Sequence, residues 1–161
     1  MNKYIIGAII FGIGLIGFLL LNTDSRSTNN TDVTSTADSK ISVVEQPYDF
    51  GDIDIFGGKV NTSYTLKNEG AKDVTITRAV TSCMCTEGEI AGLTFGMHGS
   101  EVKSVVIPAG RAEKVTAIYD PLAHGPNGTG PVTRTLQLET NSTETPKIEL
   151  RFSANVIKNE G

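Results

Sequence analysis

The stretch TSCMCT, residues 81–86, holds both cysteines of the 161-residue chain, Cys83 and Cys85, with Met84 between them. Thiols at that spacing support three chemistries: ligation of a soft metal, a disulfide or redox pair, or burial as two small structural residues. If residues 83–85 continue the strand that precedes them, both sulfurs share one face and Met84 points away. Their Cα atoms then lie about 6.6 Å apart, near the upper limit for a disulfide, so a covalent bridge demands backbone distortion. A metal bridges them more gently. Two thiolates, each about 2.3 Å from one ion, need converge only to within about 4.6 Å of each other. Export into an oxidising compartment keeps the disulfide reading open. Metal ligation is the first expectation, and the disulfide and buried-thiol readings stand beside it.

Further donors lie in two glycine-bearing loops. Met97 and His98 sit in FGMHGS between Gly96 and Gly99, and His124 sits in DPLAHGPNGTGP. Each has a plain reading as a solvent-facing loop residue. Glycines, however, let a backbone turn so that neighbouring side chains face one centre, where an extended strand would make them diverge. Cys83, Cys85, Met97, His98 and His124 therefore form the candidate metal set. They are soft sulfur and imidazole donors without ligand-spaced carboxylates, which favours copper, as Cu(I), over magnesium or calcium. Zinc is the runner-up, because thioether is a poor zinc ligand and a good Cu(I) ligand.

Enzyme chemistry has little support. Neither histidine is accompanied by G-x-S-x-G or by paired carboxylates, and Asp49, Asp52 and Asp54 read as a solvated strand end. The glycines of residues 125–130 lack the Lys-Ser/Thr and helix of a phosphate-binding loop, and YDFGDID lacks the spacing of a calcium loop. A thiol-disulfide enzyme is the least favoured class, since C-x-x-C at a helix start is missing. Nucleic acid is excluded as a partner. The net charge is -4, and the 14 basic residues are scattered among 18 acidic ones without a basic stripe.

The elements that must position these donors are strands. From Ile41 onward no apolar pattern keeps helical spacing for three turns. ISVVEQPYDFGDI reads as one extended segment broken at Pro47. VNTSYTLKNEG places Val60, Thr62, Tyr64 and Leu66 on one face, and DVTITRAV turns Val74, Ile76 and Ala79 inward before the cysteines. EVKSVVIPAG follows, then RAEKVTAIYDP with Val115, Ala117 and Tyr119 alternating. VTRTLQLETN and KIELRFSANVI form a last hairpin across STETP. About seven strands at this spacing predict an antiparallel β-sandwich. No Cys…Trp…Cys pin is present, so an antibody-type domain is not expected.

Ahead of this domain, Tyr4 to Leu21 is an uncharged apolar run of 18 residues, about 27 Å long as a helix and just able to span a bilayer. FLLLNTDS offers bulky leucines where a signal peptidase wants small residues, so an uncleaved transmembrane helix over residues 1–21 is expected in preference to a signal peptide. Lys3 and the amino terminus favour the cytoplasmic side, which sends the remainder outward: a single-pass protein of the cell membrane with an extracytoplasmic C-terminal domain. Residues 22–40 are nearly all Ser, Thr, Asn and Asp and predict a disordered stalk. The folded domain is expected over 41–161.

YDFGDI, V…Y.LKNEG followed by VTITRAVTSCMCT, IPAGRAEKVTAIYDP and a closing ANV together resemble the bacterial domain-of-unknown-function family 1573 over residues 43–157. That family is similar to the immunoglobulin-like domains of spindle, hydin and major sperm proteins, so the resemblance implies an immunoglobulin-like sandwich and no particular activity. Met84 stands where the family commonly has Gly, and SCMCT, FGMHG and DPLAHGP resemble a subgroup. The function expected is a membrane-anchored, non-enzymatic binding module for a soft metal. The alternative is a structural or adhesion domain that binds a protein partner through its sheet edges, with a disulfide or inert cysteines.

Overall fold

The computed structural model describes residues 39–44, 46–99 and 105–159. The expected transmembrane run, residues 4–21, and the stalk up to residue 38 lie outside the described residues. Ser39 is part of the fold, although the expected stalk included it. It is fully buried, its hydroxyl donates to Lys72 O at 2.7 Å, and its carbonyl accepts from the Ser142 hydroxyl at 2.5 Å. A Cβ on Gly70 would collide with the Ser39 backbone, so glycine there permits this approach.

Among the described residues ten strands run in chain order: β1 (Ile41–Val44), β2 (Tyr48–Asp54), β3 (Val60–Asn68), β4 (Val74–Thr81), β5 (Thr86–Ile90), β6 (Leu93–Phe95), β7 (Val106–Ile107), β8 (Ala112–Tyr119), β9 (Gly130–Thr140) and β10 (Lys147–Ile157). They form two five-stranded sheets, ordered β1-β3-β8-β5-β6 and β2-β10-β9-β4-β7. The β-sandwich is thus present, with corrections to the antiparallel seven-strand expectation. ISVVEQPYDFGDI is two strands in different sheets, because Pro47 has no N–H for a ladder and the chain crosses over there. β2 then pairs parallel to β10, so the second sheet is mixed.

Alternation builds the core as expected in β3 and β8, where Tyr64, Leu66, Val115, Ala117 and Tyr119 are buried, and Leu150 and Phe152 of β10 are buried with them. In β4 the inward series steps from Ile76 to Ala79 because the register with β9 shifts between Ile76 and Arg78. That bulge adds one residue to the strand and keeps Ala79 and Thr81 on the core side. The sheets meet through Tyr119 of one and Phe152 of the other, ring centroids 5.6 Å apart, and Phe50 packs on Phe152 at 5.5 Å.

Candidate functional site: a disulfide between imidazole and guanidinium

β4 lies in one sheet and β5 in the other, so residues 82–85 must carry the chain across the sandwich. They cannot remain a strand, and the expectation that Cys83 and Cys85 share a strand face is overturned. The crossing is a tight turn closed by Thr86 N–H donating to Cys83 O at 3.1 Å. The Thr81 hydroxyl lies 3.0 Å from Cys83 O and 2.9 Å from Thr86 O, sharing its proton between them. Outward bonds fix the turn at both ends: Ser82 N donates to Thr135 O at 2.9 Å, and Asp120 N donates to Cys85 O at 2.9 Å. The turn shortens the Cα–Cα distance to 5.2 Å, and the two cysteines are joined as a disulfide. The distortion foreseen for an extended segment is supplied by the turn itself.

The two sulfurs occupy different surroundings. Cys83 is half-buried, and its Sγ is 3.2 Å from His124 Nε2 in an exposed contact. Cys85 is only 2% exposed, and its Sγ accepts a hydrogen bond from Arg134 Nε at 3.1 Å. Met84, between them, is 71% exposed. His124 is held by successive turns after β8, in which Ala123 N donates to Asp120 O at 3.3 Å and Gly125 N to Leu122 O at 2.8 Å. Arg134 reaches Cys85 from β9, its guanidinium carbon 5.9 Å from the Tyr119 ring centre. Burial pushes the Tyr119 phenol above its ordinary pKa, against the opposing pull of Arg134. A recess of about 130 Å³ beside Cys85 is bordered by Met84, Asp120 and Ala123.

Of the five expected donors, three come together. One ligand atom each from Cys83, Cys85 and His124 lie within 4.8 Å of one another. Met97 and His98 are exposed on the connection after β6, and His98 is not among the clustered donors. Their loop touches β4 through its backbone, Thr81 N donating to Gly96 O at 3.2 Å. Arg134 was not expected at the site. Its signal was in the sequence nonetheless: Arg134 falls in the period-two series of Leu136 and Leu138, which are fully buried, and a cation on that face calls for a partner.

Fold and site together define an all-β sandwich of one antiparallel and one mixed sheet, with a disulfide at the crossing between them. The chain belongs to the family described as "Protein of unknown function (DUF1573)", which matches residues 41–156. No curated protein matches it. Among solved structures it is similar to a protein of unknown function from Porphyromonas gingivalis, with a TM-score of 0.60 and 13% identity over 80% of this chain and 51% of that one. It is also similar to the secreted serine protease VesC from Vibrio cholerae, with a TM-score of 0.50 and 12% identity over 75% of this chain and 24% of that one. The ASH/PapD-like domain 7 of human CEP192 aligns at a TM-score of 0.43 and 13% identity, over 75% of this chain and 87% of that one. The chain spans about half the length of the first of these and about a quarter of the second. Identities this low speak to fold alone.

Proposed function

We propose that this chain is a membrane-anchored, extracytoplasmic binding module that takes a soft metal ion at Cys83, Cys85 and His124 once its disulfide is reduced. The observation that carries the reading is the convergence of those three donor atoms within 4.8 Å of one another. Two thiolates and one imidazole suit Cu(I), which accepts few, soft ligands. Structural zinc needs a fourth ligand, so copper stays ahead. Met97 and His98 are left out of the ligand set because they are exposed on a different loop. Anchoring rests on the apolar run from Tyr4 to Leu21.

The test is a titration of the full chain in detergent, reduced with a phosphine and supplied with Cu(I) against a chromogenic chelator. One equivalent is retained by the natural sequence and by Met97→Ala and His98→Ala. The double variant Cys83→Ser, Cys85→Ser retains none, and His124→Ala weakens retention. Undiminished retention by the double variant would sink the reading.

The closed bridge and the burial of Cys85 favour a second reading, an adhesion or structural domain with an inert disulfide. Under it, copper leaves the melting temperature of the reduced chain unchanged, since a ligand of the native state must raise it.

A further inference from the structure

The Cys83–Cys85 bridge is a poor staple. It closes a loop of only three residues, so it removes less unfolded-state entropy than a bridge that closes a long loop. The turn around it is already tied by Thr81, Ser82, Thr86 and Asp120. What the surroundings provide instead is an unequal pair of sulfurs. Cys83 Sγ lies at the exposed edge beside His124, while Cys85 Sγ is buried against a fixed cation.

We propose that this pair is a thiol-disulfide exchange site, in which a dithiol attacks Cys83 and Arg134 holds the departing Cys85 sulfur. The inference uses the Arg134 contact and the difference in exposure, and it stands whether or not the cluster binds a metal.

One sulfur of the dithiol, as thiolate, bonds to Cys83 Sγ. The Cys83–Cys85 bond breaks, and its electron pair leaves on Cys85 Sγ. The second dithiol sulfur then attacks the first, closing a disulfide in the reagent and releasing Cys83. Two electrons have passed from the dithiol to the cysteine pair. Of the dithiol's two protons, one ends on Cys83 and the other goes to solvent.

Geometry assigns the roles. An incoming thiolate reaches the exposed sulfur first, and the better leaving sulfur is the one whose negative charge is stabilised. Arg134 Nε, 3.1 Å from Cys85 Sγ, supplies a charge-assisted donor to that sulfur. Its side chain is held in place by Nη1 donating to Thr133 O at 2.9 Å and by the Tyr119 ring. Arg134 is therefore a positioning and charge-stabilising group rather than a nucleophile. Met84, 71% exposed between the two cysteines, gives an approaching partner apolar surface next to the attacked sulfur. The site differs from C-x-x-C enzymes in lacking a helix start. The guanidinium takes the place of the helix dipole.

The experiment uses the full chain in detergent with a metal chelator throughout. Dithiothreitol is the dithiol probe, and glutathione is used to trap the first adduct. After acid quench and alkylation, peptide fragmentation should find glutathione on Cys83 and the alkyl label on Cys85. Arg134→Met should slow reduction by dithiothreitol and shift the equilibrium toward the disulfide, each by about tenfold, with Arg134→Lys in between. A merely structural Arg134 would change the melting temperature without moving that equilibrium. Glutathione on Cys85, or an Arg134→Met equilibrium equal to that of the natural sequence, would overturn the proposal. The adduct position is read on the natural sequence, so it decides even if Arg134→Met fails to fold. Phosphine-reduced protein can still be scored for Cu(I), so failure of exchange and failure of metal binding are separate results.

Discussion

At the scale of single residues, the site depends on a hydroxyl that carries no chemistry of its own. Thr81 is 4% exposed and places its Oγ1 between the carbonyls of Cys83 and Thr86, at the point where β4 leaves its ladder. Valine has the same shape without the donor, and it leaves Thr86 O in the interior with a weaker set of partners. Thr81→Val should therefore lower the stability of the disulfide-bonded protein by about 1–2 kcal/mol, read as a lower urea midpoint with unchanged slope. An unchanged midpoint would show that the turn stands on its other ties. The sulfur and imidazole donors Cys83, Cys85 and His124 were legible in the sequence because their types are rare in this chain. Thr81 and Arg134 were not singled out. Threonine is common here, and the role of each comes from a contact whose partner is distant in the chain or made by a turn.

At the scale of elements, what was legible follows strand length. β3 and β8 run nine and eight residues, enough for alternation to declare itself, and Tyr64, Leu66, Val115, Ala117 and Tyr119 are buried as their alternation predicts. β6 and β7 span three and two residues, too few for any period: β6 is absent from the expected strands, and β7 lies within the expected EVKSVVIPAG segment, of which residues 101–104 lie outside the described residues. The division at Pro47 was visible only as a break, because the sequence does not state which sheet each half will join. The β5–β6 hairpin shows what fixes such a short element. Gly88 of β5 lies directly across from Phe95 of β6, whose ring covers the glycine so closely that an added Cβ would strike it. Phe95 is 3% exposed and has little room to move. Gly88→Ala should cost about 1–3 kcal/mol through overpacking. Hydrogen exchange should then show lost protection over β6 before it shows in β3 or β8. Uniform loss across both sheets would contradict a hairpin-local effect.

At the scale of the whole sandwich, a buried phenol reaches from one sheet to the backbone of the other. Tyr64 rises from β3 through the core, fully buried, and its phenol donates to Arg151 O of β10 in the opposite sheet at 2.9 Å. Burial, with a smaller contribution from Tyr48, pushes its pKa from the ordinary 10.0 up to about 12. Tyr119, on the same core face, is raised as well, again chiefly by burial. The sign follows from proton counting. Between pH 10 and about 12 the unfolded chain has released the Tyr64 proton and the folded chain still holds it, so raising the pH favours unfolding. The stabilising contribution is complete below pH 10 and is lost as the pH climbs through about 12. Tyr64→Phe removes the titrating group and also leaves Arg151 O without this donor. At neutral pH it should therefore be less stable by about 1 kcal/mol. Its stability should then fall less steeply over the alkaline window than that of the natural sequence, so the two urea midpoints converge there. Parallel curves for the two proteins from neutral pH to pH 12 would mean that the Tyr64 phenol is solvated and does not tie the two sheets together.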